Sequence, residues 1–142
     1  MALPSYDETR TEMSIFDALL KARRDFGASK EILWDGNDDR KLTYDEVVRA
    51  AFALGHALKK ITAKGEHVGI MLPSSAGAVI AFFALHAYGR IPAMLNFTAG
   101  ERAVKAALKL GRIKTVLTAK RFIEIGKLEA VLAKPECKIM LL

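Results

Sequence analysis

The sequence offers few residues whose type and spacing suit chemistry. Its three histidines, His56, His67 and His86, lack metal-ligand spacing and have no carboxylate at a motif distance. His56 reads as a partly exposed helix residue and His86 as a packed one near a helix end. The single Cys137 lies in a late apolar segment with no base near it in sequence, so it reads as a small buried hydrophobe. Asp38-Asp39 follow Gly36-Asn37 and read as a solvated turn rather than a metal pair. Ser74 and Ser75 follow Pro73 without a GxSxG elbow that would make either a nucleophile. The small turn Pro73-Ser74-Ser75-Ala76-Gly77 is able to present backbone N–H groups to an anion at a helix start, and a plain serine N-cap is the simpler reading. Neither GxGxxG nor GxxxxGK[ST] occurs.

The elements that must position these residues are organised around one βαβ unit, residues 65–100. Residues 67–72 form a short apolar run between Gly65 and Pro73, which predicts a buried strand. Residues 76–88 are apolar almost all round, as in a helix buried on most sides, and Gly89 stops them. Residues 91–95 give a second strand, parallel to the first across the crossover helix.

Ahead of this unit, Ser14 with Asp17 predicts a capped helix ending at Gly27. Residues 31–35 and 41–43 flank a turn and predict a small hairpin. Thr43 with Glu46 forms a capping box, opening a helix to about Ile61 with Val47, Ala50, Ala51, Leu54, Ala57, Leu58 and Ile61 inward. After the unit, Thr98 or Gly100 starts a helix to Leu110-Gly111, with Val104, Ala107 and Leu108 inward and Lys105, Lys109 and Arg112 outward. Residues 114–118 predict a strand, residues 121–132 a helix stopped by Pro135, and residues 138–142 a last strand. Strict alternation predicts a three-layer α/β domain with an open, mostly parallel sheet and a small N-terminal hairpin. Residues 1–13 read as a flexible arm and 14–142 as the folded unit. The last expected strand runs to the final residue, which reads as a cut from a longer chain.

Composition narrows the class. A chain of 142 residues, 51% hydrophobic, has enough apolar material for a real core. One cysteine excludes an internal disulfide framework and fits a reducing compartment. The start lacks the pattern of a signal peptide, and residues 76–88 fall short of the roughly 20 apolar residues a span needs. Residues 1–71 hold 11 Lys and Arg against 12 Asp and Glu, whereas residues 72–142 hold 11 against 4. The basic second half reads as a solvated face or as a surface for an anionic partner. No zinc-finger or RNA-binding motif points to nucleic acid.

Four segments carry a resemblance. Leu42-Thr43-Tyr44-Asp45-Glu46-Val47 resembles the T/S-Y-x-E-L segment of adenylate-forming acyl-CoA synthetases. Residues 65–75, GEHVGIMLPSS, are similar to their G-D-x-V-A-I-x-L-P-N-S strand and turn. Residues 88–96, YGRIPAMLN, resemble A-G-A-x-x-V-P-x-N, and residues 113–118, IKTVLT, resemble A-K-V-L-I-T. A narrower resemblance, through RIPAMLNFTAG at 90–100 and Ile125-Gly126-Lys127-Leu128, is to the bacterial acyl-[acyl-carrier-protein] synthetase / 2-acylglycerophosphoethanolamine acyltransferase family.

The resemblance implies an N-terminal subdomain of an AMP-binding synthetase that uses ATP and Mg to activate a fatty acid. The acyl group would then pass to the thiol of CoA or of the phosphopantetheine on acyl carrier protein, with possible use in acylating 2-acylglycerophosphoethanolamine. The family's phosphate loop and catalytic lysine lie beyond the matching segments, so no catalytic residue, metal site or cofactor is expected in this chain alone. By position the resemblance places Asn96, Phe97 and Thr98, and Lys120 and Arg121, on the thiol-carrier side. It implies packing against the remaining synthetase lobe, self-association of the isolated chain through its uncovered surface, and a cytoplasmic-side location for a parent associated with the inner membrane. The competing expectation is a stand-alone α/β module that binds an acidic protein or a phosphorylated ligand.

Overall fold

A computed structural model describes residues 8–126 and 138–142. A 3-10 turn at Glu8–Thr11 precedes helix α1, Ile15–Phe26. Ser14 caps α1 by accepting the Asp17 N–H at 3.1 Å, and its hydroxyl donates to the Asp17 carboxylate. Strands β1, Glu31–Asp35, and β2, Arg40–Thr43, pair antiparallel as the expected hairpin. Helix α2, Tyr44–Leu58, opens on the full capping box: Thr43 Oγ1 accepts the Glu46 N–H, and the Glu46 carboxylate accepts the Thr43 N–H at 2.8 Å.

The remaining elements alternate. They are β3, His67–Ile70; α3, Ala76–Ala87; β4, Ile91–Met94; α4, Glu101–Leu110; β5, Thr115–Thr118; α5, Lys120–Gly126; and β6, Lys138–Leu141. The four strands pair in parallel in the order β4-β3-β5-β6. From β3 the chain moves to one neighbour through α3, then returns past β3 through α4. Right-handed crossovers in opposite directions put their helices on opposite faces, and this is how the three layers arise.

Strand alternation divides the core accordingly. Val68, Ile70 and Leu117 face α1, α2 and α3, in a cluster that includes Phe16, Val47, Ala51, Ala81 and Leu85. Val116 faces the other way, with Met71, Leu95, Val104 and Ile113, and Phe122 packs against them. Two glycines sit at close approaches, and at Gly55 the neighbouring backbone requires one. A Cβ at Gly69 would lie 2.8 Å from Leu95 Cδ1, and one at Gly55 would lie 2.3 Å from the Tyr88 ring and 2.8 Å from the Ala84 carbonyl. Gly55 thus allows α2 and α3 to cross with backbones nearly touching.

Several boundaries differ from the sequence reading. Helix α2 stops at Leu58, not Ile61, and Ala57 and Ile61 are exposed. The Arg90 guanidinium donates to the Lys59 and Thr62 carbonyls and to Thr62 Oγ1, so a residue on the far side of α3 satisfies the turn that replaces the last helical residues. Helix α4 starts after Gly100, as one of the two expected starts, with residues 97–99 in a 3-10 turn. Ala107 is exposed rather than inward, because α4 meets the sheet only along Val104 and Leu108. Helix α3 is less covered than its sequence suggests: Val79, Ile80, Phe82 and Phe83 are half-buried. The expected helix at 121–132 is described as far as Gly126; its remainder, Pro135 and Cys137 lie outside the described residues.

The two edges of the sheet contrast. On β4 the Ile91 and Leu95 amides point to β3, which leaves Pro92, without an N–H, facing outward. Such a proline blunts an edge. Strand β6 has no proline, and Ile139, Leu141 and the following Leu142 are exposed. Among the described residues no helix is long and apolar enough to cross a membrane.

Candidate functional site

In open parallel sheets ligands bind outside the carboxyl ends of the strands. Two features stand at that end here. The first is a cleft of about 660 Å³ between the hairpin and α3, walled by Leu33, Trp34, Leu72, Val79, Phe82 and Met94, with Asp35, Ser74 and Ser75 at one end. Trp34 is exposed, and its Nε1–H donates to Asp39 Oδ1 at 3.0 Å, so Asp39 is engaged in ordering the turn and the solvated-turn reading of Asp38-Asp39 holds.

The start of α3 at this cleft is closed by the protein itself. Asp35, buried at the end of β1, accepts the Ala76 N–H on Oδ2 at 2.6 Å. Its Oδ1 accepts the Asn37 N–H at 3.0 Å and Asn37 Nδ2–H at 2.8 Å. Ser75 is the N-cap, accepting the Ala78 N–H at 3.3 Å. The Ala76 amide foremost, then the Asn37 amide, hold the Asp35 carboxyl below the usual carboxylate range. This overturns the reading of the turn as an anion cradle: the Ala76 and Ala78 amides are taken, and the Asp35 carboxylate puts a negative charge at the helix start. The serine-cap reading is correct for Ser75. Sequence reasoning passed over Asp35, and the only local signal was an aspartate opening the Gly36-Asn37 turn.

The second feature joins the turns after β4 and β5. Asn96 Oδ1 accepts the Thr98 N–H at 3.0 Å and the Thr98 hydroxyl at 2.7 Å, which shapes the turn. Asn96 and Thr98 are exposed. Phe97 turns inward and meets Phe122 edge to face, with ring centroids 4.6 Å apart. That contact holds the turn after β4 against α5, whose first residue, Lys120, is exposed. The structure therefore brings Asn96, Phe97 and Thr98 to the start of α5. Arg121 is the second residue of that helix, and its side chain is outside the described set. Nearby, Thr118 Oγ1 at the end of β5 is fully buried and meets no hydrogen-bond partner among the described residues.

The histidines stay apart. His56 and His67 are exposed. His86 lies edge-on to Phe82 at 4.6 Å, and burial pushes its imidazole below the usual value. Among the described residues no three His, Cys, Asp or Glu side chains are placed to hold a metal ion.

A parallel sheet between two helical layers, with a hairpin latched to its carboxyl end, is the fold of adenylate-forming ligases. The chain belongs to the AMP-binding enzyme family, which it matches over residues 21–142. Its fold is similar to that of the anthranilate CoA ligase AuaEII, solved in complex with anthranoyl-AMP, at 24% identity and a TM-score of 0.75 over 99% of this chain and 26% of that one. It is also similar to a Mycobacterium tuberculosis fatty acyl CoA synthetase, at 17% identity and a TM-score of 0.76 over 89% of this chain and 26% of that one. A third similarity is to NpsA-ThdA from Klebsiella oxytoca, an artificially fused adenylation-PCP di-domain, at 20% identity and a TM-score of 0.70 over 90% of this chain and 22% of that one. The chain spans about a quarter of the length of these solved structures.

Proposed function

We propose that this chain is the N-terminal part of an ATP-dependent ligase that converts a fatty acid to its acyl-adenylate and passes the acyl group to a thiol. The observation that carries the reading is the family match across residues 21–142. The residues present do not fit a triphosphate: the Ala76 and Ala78 amides at the start of α3 are engaged by Asp35 and Ser75, and no GxxxxGK[ST] loop occurs. ATP and Mg would be held by a longer chain of the length its relatives have. A fatty acid in preference to an aryl acid is supported by the resemblance of residues 90–100 alone, since the similar folds include both aryl and fatty acyl ligases. Carrier-protein phosphopantetheine as acceptor in place of CoA, use of the product in phospholipid acylation, and a cytoplasmic-side location at the inner membrane rest on that same segment.

Asn96, Phe97, Thr98, Lys120 and Arg121 form the thiol-carrier side of this reading. Their support is the Phe97–Phe122 contact, which gathers the two turns at one end of the sheet. A lysine and an arginine there suit phosphate or an acidic carrier face. The test is pyrophosphate exchange followed by thiol transfer. The full native polypeptide should exchange with fatty acids and not with benzoate or anthranilate, and the 142-residue chain should show no exchange above a blank. Lys120→Ala with Arg121→Ala should leave exchange intact and slow transfer to carrier protein or CoA, most at low salt. Unchanged transfer defeats the site, and absent exchange defeats the function.

The isolated chain should also self-associate. The bare apolar edge of β6 supports this, since unprotected edges pair. Light scattering showing a monomer at high concentration is the contrary result.

A further inference from the structure

Helix α4 carries an outer face that is exposed among the described residues. Val104 is its buried residue, whereas Ala103, Ala106, Ala107 and Leu110 are exposed, Leu110 at 84%. With 3.6 residues per turn these four lie within about 100° of arc, as one stripe. Arg102 and Lys109 run along one border of that stripe. Both are exposed, and among the described residues neither forms an ion pair, whereas Lys105 beside them is paired with Glu101. Arg112, just past the helix, is exposed too.

We infer that this face of α4 docks an acidic amphipathic helix of a partner protein. The proposal stands on the surface of α4 and does not depend on the ligase reading. Three alanines let a second helix approach to the short end of the usual 8–10 Å interaxial range, about 8 Å. Leu110 supplies a large side chain to fill a gap between the partner's side chains. Unpaired cations on one border select acidic residues on the partner, set its register and steer its approach. A membrane surface suits this helix less well. Helices that lie on bilayers insert bulky apolar residues, and three alanines with one leucine bury little area.

The experiment uses the full native polypeptide and a helix-stabilised peptide with a leucine–valine stripe bordered by glutamates, read by fluorescence anisotropy. The acidic peptide should bind and a lysine-bordered twin should not. Leu110→Glu, and Arg102→Glu with Lys109→Glu, should each weaken binding about tenfold or more. Raising salt from about 50 to about 300 mM should weaken it severalfold. Circular dichroism should show all variants folded, since every changed side chain is exposed. Equal affinity in these variants overturns the proposal. So does tighter Leu110-dependent binding to anionic phosphatidylglycerol vesicles than to the peptide, which assigns the face to a membrane. So does slow thiol labelling of Ala106→Cys without peptide, which means the protein's own remaining chain covers the helix.

Discussion

Helices α3 and α4 do the same topological job and are built in opposite ways. Each crosses from one parallel strand to the next, and each begins at the carboxyl end of the sheet. Yet α3, AGAVIAFFALHA, has no Asp, Glu, Lys or Arg, and its Ala81, Ala84 and Leu85 are fully buried. Its partner α2 comes so close that only glycine fits at residue 55. Helix α4, ERAVKAALKL, has four charged residues and buries Val104. Their starts differ too. Asp35 and Ser75 bond the first amides of α3, while α4 follows Gly100 at φ +86° with no side-chain cap. The difference shows where the stability of this unit is concentrated. Helix α3 is part of the core; α4 covers the other face by one narrow stripe, and its outer side is exposed among the described residues.

The largest expected effect breaks the comparison at its centre. Leu85→Ala should cost about 2–5 kcal/mol, because a fully buried leucine loses its contacts and leaves a cavity in the larger core cluster. Val104→Ala removes less, from a thinner layer, and should cost about 1–2 kcal/mol. Urea unfolding of both variants with an unchanged slope would measure the contrast. If Val104→Ala costs as much as Leu85→Ala, the two faces hold the fold equally and the division is wrong.

What was legible in the sequence follows the same line between local and distant causes. The caps at Ser14, Thr43 and Ser75 were readable because a serine or threonine bonds an amide three residues on. The parallel sheet is readable because helices alternating with strands connect them as crossovers, whereas the order β4-β3-β5-β6 appears only in the fold. The end of α2 falls earlier than periodicity predicts because Arg90, about thirty residues away, supplies the bonds that close the turn. Periodicity predicts Ala107 inward because it gives the direction of an apolar stripe and not its width. Asp35 is the end of a strand in the sequence and in the structure, but its bond to Ala76 spans 41 residues and no local pattern announces it. Of the candidate site, the two turns were locatable by resemblance, and the Phe97–Phe122 contact that joins them appears only in the fold.

A smaller effect sharpens the contrast at the two helix starts, and it is read through pH. Asp35 is lowered in the folded protein, first by the Ala76 N–H and then by Asn37. A carboxylate lowered on folding stabilises the fold fully above its unfolded value, about 3.9, and loses that contribution as pH falls through the folded value. Asp45, lowered first by its bond from Arg23, and Glu46, lowered first by the Thr43 N–H, act in the same window, so acid unfolding alone does not isolate Asp35. Asp35→Asn removes the charge and keeps an acceptor for the Ala76 N–H, but it turns an NH2 toward the two Asn37 donors, so the pH dependence of its effect, and not the size, reports the charge. The variant should have a lower urea midpoint than the wild type at pH 7. The gap should hold down to about pH 4 and narrow below it, as the wild type takes up the proton that makes its residue 35 neutral as well. A gap that is constant down to pH 2 would mean that the charge on Asp35 contributes nothing, and that α3 is held in place by its packing alone, as α4 is by Val104.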